Sequence, residues 1–202
     1  NNNKPDINFQ LDNIGYDETR YINAHVDYKV KKGGGPWLQL LFTLPGNELD
    51  VYHDLEGDGT IDLGDGQVHE VELLVKDAYG NTSTVKVNLQ QSGEAAEDKT
   101  CANTMYPGSR NIFENNQVEF YLDERALYDH ICFNYQEIQA TSPKAYSNIY
   151  HLHTALVPLH DFFGLRMKPT KNIPEYLQPK VVMVREGLGS SVSATVKEEG
   201  GW

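Results

Sequence analysis

The segment Val68–Lys76, VHEVELLVK, is followed by the turn sequence DAYGN at Asp77–Asn81 and by STVKVNL at Ser83–Leu89. Apolar and polar residues alternate in both flanking segments, which is the period of a strand with one buried face. Gly80 and Asn81 suit a tight turn that needs a positive φ angle. This part of the chain therefore predicts an antiparallel β-hairpin.

Short β-type segments continue on both sides of this hairpin. Tyr21–Tyr28 alternates and predicts a half-buried strand, and the apolar run Trp37–Leu44 predicts the next one. Because no long 3.6-residue periodicity occurs, we predict an all-β fold made of two antiparallel β-sandwich domains. Further strands are predicted at Gln117–Leu122, Ile131–Gln136, Phe162–Met167, Val181–Arg185 and Ser191–Lys197.

The polar and acidic stretch Gln90–Lys99 is the best candidate for a linker. We place a first domain at residues 1–92, a linker at 93–100 and a second domain at 101–202. The chain begins without an initiator Met, and a β-type pattern is still running near Trp202. We therefore expect a fragment of a longer protein, with the first domain truncated at its N terminus and the second at its C terminus.

Composition excludes several kinds of partner. The net charge of −12 argues against nucleic acid, because phosphate binding needs a basic surface. No apolar run approaches the roughly 20 residues of a transmembrane segment. Cys101 and Cys132 permit a single disulfide, and two ordinary thiols fit the sequence equally well.

Two resemblances to known families rest on particular segments. The sequence DAYGNTS, Asp77–Ser83, leading into an alternating strand, resembles the closing hairpin of bacterial immunoglobulin-like domains, so the two predicted sandwiches are expected to be immunoglobulin-like. A longer series consists of RYINAHVDY at Arg20–Tyr28, LPGN at Leu44–Asn47, GQVHEVE at Gly66–Glu72, ALYD at Ala126–Asp129 and VPLH at Val157–His160. In that order, this series resembles the region downstream of the catalytic domain in M23-family zinc metallopeptidases of Bacteroidetes-type bacteria, over about residues 5–202.

The resemblance implies a parent protein that cleaves peptidoglycan cross-links with a separate, LytM-like catalytic domain. In that family the zinc ligands come from an H-x-x-x-D-type motif and the second His of an H-x-H motif, both in the catalytic domain. We therefore expect a non-catalytic accessory region with no cofactor of its own, which positions or shields the upstream catalytic domain. The implied location is periplasmic, outer-membrane-associated or secreted, and peptidoglycan or another envelope component is a further implied partner.

An alternative function is that of an independent module that binds glycan or protein at the cell surface. Exposed aromatic residues such as Trp37, Tyr146 and Tyr150 would then stack on sugar rings, although a packed β-core explains such residues equally well.

A zinc site is a second alternative. His151-Leu152-His153 is literally H-x-H, and residues two apart on a strand share one face, so both imidazoles could reach one metal ion. The upstream half of the ligand set is missing, because neither His25-Val26-Asp27 nor His53-Asp54 has the required spacing. Two strand histidines near the surface are the simpler interpretation.

A calcium site is a third alternative. The loop from position 54 to position 65 has acidic residues at EF-hand-like spacing, with Gly59 at the sixth position. The twelfth residue is Asp rather than the usual Glu, and neither flank reads as a helix. Solvated acids on a β-hairpin, with a strand at Gly59–Leu63 and a turn at Gly64–Gly66, are the competing interpretation. The candidate ligands are Asp54, Glu56, Asp58, the Thr60 carbonyl, Asp62 and Asp65.

Overall fold

The computed structural model describes residues 6–12, 15, 17–53, 56–93, 100–185 and 192–194. Strands account for 29% of the chain and helices for 10%, which confirms the all-β prediction. The strands are β1 (His69–Lys76), β2 (Thr82–Leu89), β3 (Thr104–Met105), β4 (Asn111–Glu114), β5 (Val118–Leu122), β6 (Ile131–Cys132), β7 (Tyr135–Ile138), β8 (Ile149–Leu152), β9 (Phe163–Met167), β10 (Val182–Val184) and β11 (Val192–Ala194).

The central hairpin forms as predicted, but neither of its strands has the buried face that the alternation predicted. Strands β1 and β2 pair antiparallel over their full length, from His69 opposite Leu89 to Lys76 opposite Thr82. Gly80 takes the positive φ of the connecting turn at 85°, whereas Asn81 does not. The Asp77 carboxylate closes this turn by accepting the backbone N–H groups of Tyr79 and Asn81. The turn chemistry of the sequence is therefore the one that the structure uses.

The described strands form small sheets rather than the predicted sandwiches. They pair antiparallel as β1–β2, β3–β6, β4–β5–β9, β7–β8 and β10–β11. Among these described strands, no closed sandwich and no immunoglobulin fold is shown. The predicted strand Ile131–Gln136 is two strands, because the chain changes sheet between β6 and β7.

The strand predicted at Tyr21–Tyr28 is wrong, because this segment is helical. It contains the short helix α1 (Ile22–His25) and the first residue of α2 (Tyr28–Lys32), and it follows a 3-10 helix at Asp17–Arg20. Tyr21, Ala24 and His25 are buried, which is the three-to-four-residue spacing of a helix face. The Asp27 side chain accepts the N–H of Val30 and caps α2. No helix among the described residues is long and apolar enough to cross a lipid bilayer.

The strand predicted at Trp37–Leu44 is also wrong, since this run contributes only one isolated bridge. Gln39 bridges Val26, and the N–H of Leu40 donates to the carbonyl of His25. Trp37 is 61% exposed, so the run does not provide a continuous buried face.

The described residues divide into two compact units. One unit consists of those within Asn1–Gln10 and Tyr52–Thr100, and the other of those within Leu11–Val51 and Cys101–Trp202. The predicted second domain begins at one of these boundaries, residue 101. The segment Leu11–Val51 lies within the predicted first domain, residues 1–92, but it packs with the second unit. The reason is a set of specific contacts that reach across the sequence, as described below.

The core of the second unit is centred on β5. Val118, Phe120 and Leu122 alternate along β5 with half-buried residues and are each at most 5% exposed. Burying each such side chain stabilises the fold by about 1.5–3 kcal/mol. The rest of this core consists of Met105, Ala126, Leu127 and Phe133.

A disulfide joins Cys101 to Cys132, with the Cα atoms 5.6 Å apart. Of the two states that the sequence allowed, the structure therefore has the bridged one. Cys132 lies exposed on β6 and not in the core. The bridge fixes the start of the second half of the chain to the β3–β6 sheet.

Candidate functional site

Segments far apart in the sequence converge on one group of polar and aromatic side chains in the second unit. These side chains come from the 3-10 helix and α1, from the loop after Leu44–Asn47, from the turn after β5 and from the loop before β9. We call this group the tyrosine–histidine cluster. Its members are Arg20, Tyr21, Glu48, Arg125, Tyr128 and His160.

Tyr21 is the central side chain of the cluster. Its ring stacks on that of His160, with centroids 3.9 Å apart and planes at 19°. Its hydroxyl donates to Glu48 Oε2 at 2.7 Å and accepts from Arg125 Nη2 at 2.7 Å. Tyr21 occupies the N-cap position of α1 and is 7% exposed. The helix, rather than the predicted strand, therefore places this ring in the cluster.

Tyr128 and His160 form the buried part of the cluster. The Tyr128 hydroxyl donates to the carbonyl of Arg20 at 2.6 Å and lies 3.2 Å from His160 Nδ1. A phenol has one proton, so with that proton given to Arg20 the imidazole must be the donor in the second contact. We therefore assign His160 the Nδ1–H tautomer. The backbone N–H of His160 donates to the carbonyl of Ala126, which fixes the position of the ring.

Backbone contacts hold the surrounding loops in place. The N–H of Gly46 donates to the carbonyl of Tyr128 at 2.7 Å. A Cβ at Gly46 would overlap the carbonyl oxygen of Leu127, so only glycine allows this approach. Arg20 Nη1 donates to the carbonyl of His160 at 3.3 Å, and its guanidinium lies 5.5 Å from the Phe162 ring centroid. Gly46 of the LPGN segment therefore allows this loop to pack against the backbone of Leu127 and Tyr128.

Burial changes the acid–base properties of the cluster. It raises the pKa of Tyr128 and that of Tyr21 above the ordinary value for tyrosine. It lowers the pKa of His160, and the positive charge of Arg125 acts in the same direction. Near neutral pH these rings are therefore uncharged, with both tyrosines protonated and the histidine neutral.

The arrangement uses its own polar groups internally. Each tyrosine hydroxyl and the Nδ1 of His160 has a protein partner, and His160 is 8% exposed. These contacts bind Arg20 and Tyr21 to the turn after β5 and to the loop before β9.

The two histidines of the H-x-H motif do not share a strand face. Strand β8 ends at Leu152, and His153 has a left-handed backbone with φ at 63°. Its Nδ1 accepts the N–H of Asn134 at 3.3 Å, and its ring stacks on Phe133 with centroids 6.1 Å apart. His151 remains on β8 opposite Gln136 and is exposed. The premise of the zinc alternative is therefore wrong, since it required both imidazoles on one face of a strand.

The described carboxylates of the predicted calcium loop bind nearby N–H groups. Asp58 accepts the N–H and hydroxyl of Thr60, and Asp62 accepts the N–H of Gly64. Asp65 accepts the N–H of Gln67 and lies 3.0 Å from His69 Nε2, which lowers the pKa of this carboxyl. Asp54 lies outside the described residues.

No group of three or more His, Cys, Asp or Glu that could hold a metal ion occurs within the part of the chain that the structure describes. The β-hairpin that competed with the calcium site is wrong, because no strand forms at Gly59–Leu63. The calcium site stays a prediction.

Sequence reasoning did not identify the cluster as a unit. Tyr21, Tyr128 and His160 appeared only as members of three separate family-like segments. The signal available in the sequence was the presence of aromatic residues and of a glycine-containing turn in these segments. Nothing local in the sequence indicates that they meet.

The structure defines this chain as an all-β, disulfide-bonded protein. The tyrosine–histidine cluster joins Leu11–Val51 to the part of the chain after Cys101. A family model described as "Zu5-like domain" matches residues 102–202, which is half of the chain, so the chain belongs to the Zu5-like domain family. No curated protein and no solved structure matches it. The comparisons do not link the chain to M23 peptidases.

Proposed function

We propose that this chain is a non-catalytic accessory region of an M23-type, peptidoglycan-hydrolysing metallopeptidase of the cell envelope, which positions or shields the catalytic domain. The observation that carries the proposal is the tyrosine–histidine cluster. Its titratable side chains bind one another and the backbone, so they serve to hold Leu11–Val51 on the Zu5-like domain. A rigid β-module of this kind is suited to act as a spacer or docking surface.

The disulfide supports the location that the proposal requires. Disulfides persist in secreted and periplasmic proteins and are rare in reducing compartments. The Cys101–Cys132 bridge is therefore consistent with a periplasmic, outer-membrane-associated or secreted protein. In this proposal the hairpin β1–β2 belongs to an immunoglobulin-like sandwich in which β1 is an edge strand, and zinc is a cofactor of the separate catalytic domain.

Dye release from labelled peptidoglycan tests the proposal. With added zinc, the 202-residue chain alone is expected to release no dye. The parent gene is expected to encode an H-x-x-x-D and a second H-x-H motif upstream of Asn1, and the whole parent protein to release dye. Deleting residues 11–202 from the parent is expected to change that rate. Zinc-dependent release by the chain alone, or a parent gene without these motifs, would overturn the proposal.

An independent binding module is the second candidate, and exposed aromatic residues favour it. Trp37 is 61% exposed, with Lys31 Nζ 3.5 Å from its ring centroid, and Phe162 is 82% exposed. The other two residues considered for sugar stacking are half-buried: Tyr150 stacks on Tyr135, and the ring of Tyr146 has Lys171 Nζ 5.5 Å from its centroid. Co-sedimentation of the chain with purified peptidoglycan tests this candidate. Binding that the substitutions Trp37→Ala and Phe162→Ala abolish would favour it over an accessory role.

A further inference from the structure

The β1–β2 hairpin has one apolar face and one mainly charged face, on which the apolar Leu74 also lies. Residues directly opposite each other in an antiparallel pair lie on the same face, so the register assigns every side chain. Lys86 forms ion pairs with Glu70 and Glu72 on the polar face. Lys76 lies on the same face. The apolar face consists of Val71, Leu73, Val75, Val85, Val87 and Leu89, with His69 and Ser83 at its ends.

Much of this apolar face is open to solvent. Val75 is 66% exposed, Val85 is 52% exposed and Val87 is 40% exposed. Within the described ranges, β1 and β2 pair only with each other, so the outer edge of each strand has no strand beside it. An isolated two-stranded hairpin is marginal in water, and a third or fourth strand stabilises it. Strand β1 contains no proline, and no Asp, Glu, Lys or Arg lies on its apolar face.

We propose that the outer edge of β1 pairs antiparallel with β1 of a second copy of this chain, with the two-fold axis at Leu73. This inference does not depend on the proposed peptidase function. In this register Leu73 lies opposite the partner's Leu73, and Val71 lies opposite the partner's Val75. Glu70 lies opposite the partner's Lys76, and the symmetry produces this ion pair twice. The result is a four-stranded sheet with Val71, Leu73 and Val75 of both copies on one face.

Charge selects this register among the alternatives. A shift by one residue on one strand would place apolar residues on the charged face. An axis at Val71 would place Glu70 opposite the partner's Glu72, and an axis at Glu72 would place that residue opposite itself. Like charges directly opposite each other destabilise a sheet. An axis at Leu74 or beyond leaves fewer strand residues paired, so the Leu73 axis gives the longest pairing with matched charges.

A charge-swap cycle measured by sedimentation of the full 202-residue chain tests the proposal. The wild-type chain is expected to form a dimer in a concentration-dependent manner. Glu70→Lys and Lys76→Glu are each expected to weaken the dimer about tenfold or more, since each brings like charges together. The double variant E70K/K76E recreates the pair with reversed polarity and is expected to restore wild-type affinity.

Glu72→Lys is the matched control, because Glu72 also pairs with Lys86 but would lie opposite the partner's Leu74. It is expected to leave the dimer affinity within about twofold of wild type. A monomer at every concentration would overturn the proposal. So would a dimer that the double variant fails to restore, which would indicate another partner surface.

Cross-linking provides an independent measurement of the axis. Leu73→Cys would place two thiols opposite each other, with Cβ atoms about 5 Å apart. Oxidised glutathione is then expected to produce a covalent dimer rapidly. Tyr79→Cys is the control, because Tyr79 is 93% exposed in the hairpin turn and lies away from the proposed axis. Equal cross-linking of the two variants would indicate random collision and would overturn the register.

Discussion

The ring of Tyr21 lies flat on the ring of His160, with centroids 3.9 Å apart and planes at 19°. The two residues are far apart in the sequence, since Tyr21 is the N-cap residue of α1 and His160 lies in the loop before β9. Because their rings contact each other directly, the folding of Leu11–Val51 is coupled to that of the Zu5-like domain. The stability of this unit should therefore depend on residues that sequence alone would assign to another domain.

Removal of the Tyr128 hydroxyl is expected to destabilise the second unit. Tyr128→Phe leaves the carbonyl of Arg20 without the hydrogen bond that it now accepts at 2.6 Å. The substitution also leaves the buried Nδ1–H of His160 without its acceptor at 3.2 Å. An unsatisfied buried donor costs about 1–3 kcal/mol, so the free energy of unfolding in urea, followed by circular dichroism, should fall by that amount.

Tyr21→Phe is the matched control for this change. It keeps the ring stacked on His160, and its lost hydroxyl contacts the side chains of Arg125 and Glu48, which are 60% and 58% exposed. The expected loss is about 0.5–1 kcal/mol. An effect of Tyr21→Phe equal to or larger than that of Tyr128→Phe would contradict the assignment of the buried hydrogen bond.

Stability is expected to fall as the pH drops below 6.5. Burial and the charges of Arg125 and Arg20 lower the pKa of His160, opposed by Asp161 and Glu48. The unfolded chain therefore binds a proton at a higher pH than the folded chain does. The stabilisation is complete above the unfolded pKa and is lost as the pH falls through the folded pKa.

His160→Gln tests this dependence. It should reduce the slope of unfolding free energy against pH, between pH 6.5 and 5, by up to about 1.4 kcal/mol per pH unit. His130→Gln, at an exposed histidine beside Asp129, is the control. An unchanged slope for His160→Gln would show that this residue is not the relevant titrating group.

The sequence predicted the strands better than it predicted the packing. Alternation is a local property, so β1, β2 and β5 could be located from it. In Tyr21–Tyr28 the same alternation coexists with a helical spacing of Tyr21, Ala24 and His25, and the buried contacts of those residues decided the outcome. The cluster could not be predicted, because its members come from four remote segments. The prediction that His151 and His153 share a strand face was wrong, because the backbone turns to a left-handed conformation at His153.

Substitution of Gly46 is expected to disturb the cluster from the backbone side. In Gly46→Ala the new methyl group would overlap the carbonyl of Leu127 and crowd the Cα of Tyr128. Backbone atoms cannot rotate away as a side chain does, so we expect a loss of about 1–3 kcal/mol in unfolding free energy. In Gly164→Ala the new methyl would meet only the side chain of Tyr121, at 3.4 Å. That control should change stability by less than about 0.5 kcal/mol. Equal effects of the two substitutions would contradict the close approach at Gly46.

The disulfide is expected to contribute substantially to the stability of the second unit. It joins residues 31 apart, and closing a loop of this length in the unfolded chain corresponds to about 3.5 kcal/mol in the chain-entropy model. The double variant Cys101→Ser/Cys132→Ser should lose about that much free energy of unfolding, and reductant should affect only the wild type. Iodoacetamide should label the unfolded wild-type chain only after reduction. Labelling of the unreduced chain would show that the thiols are free. It would contradict the predicted difference in unfolding free energy between the wild type and the double variant.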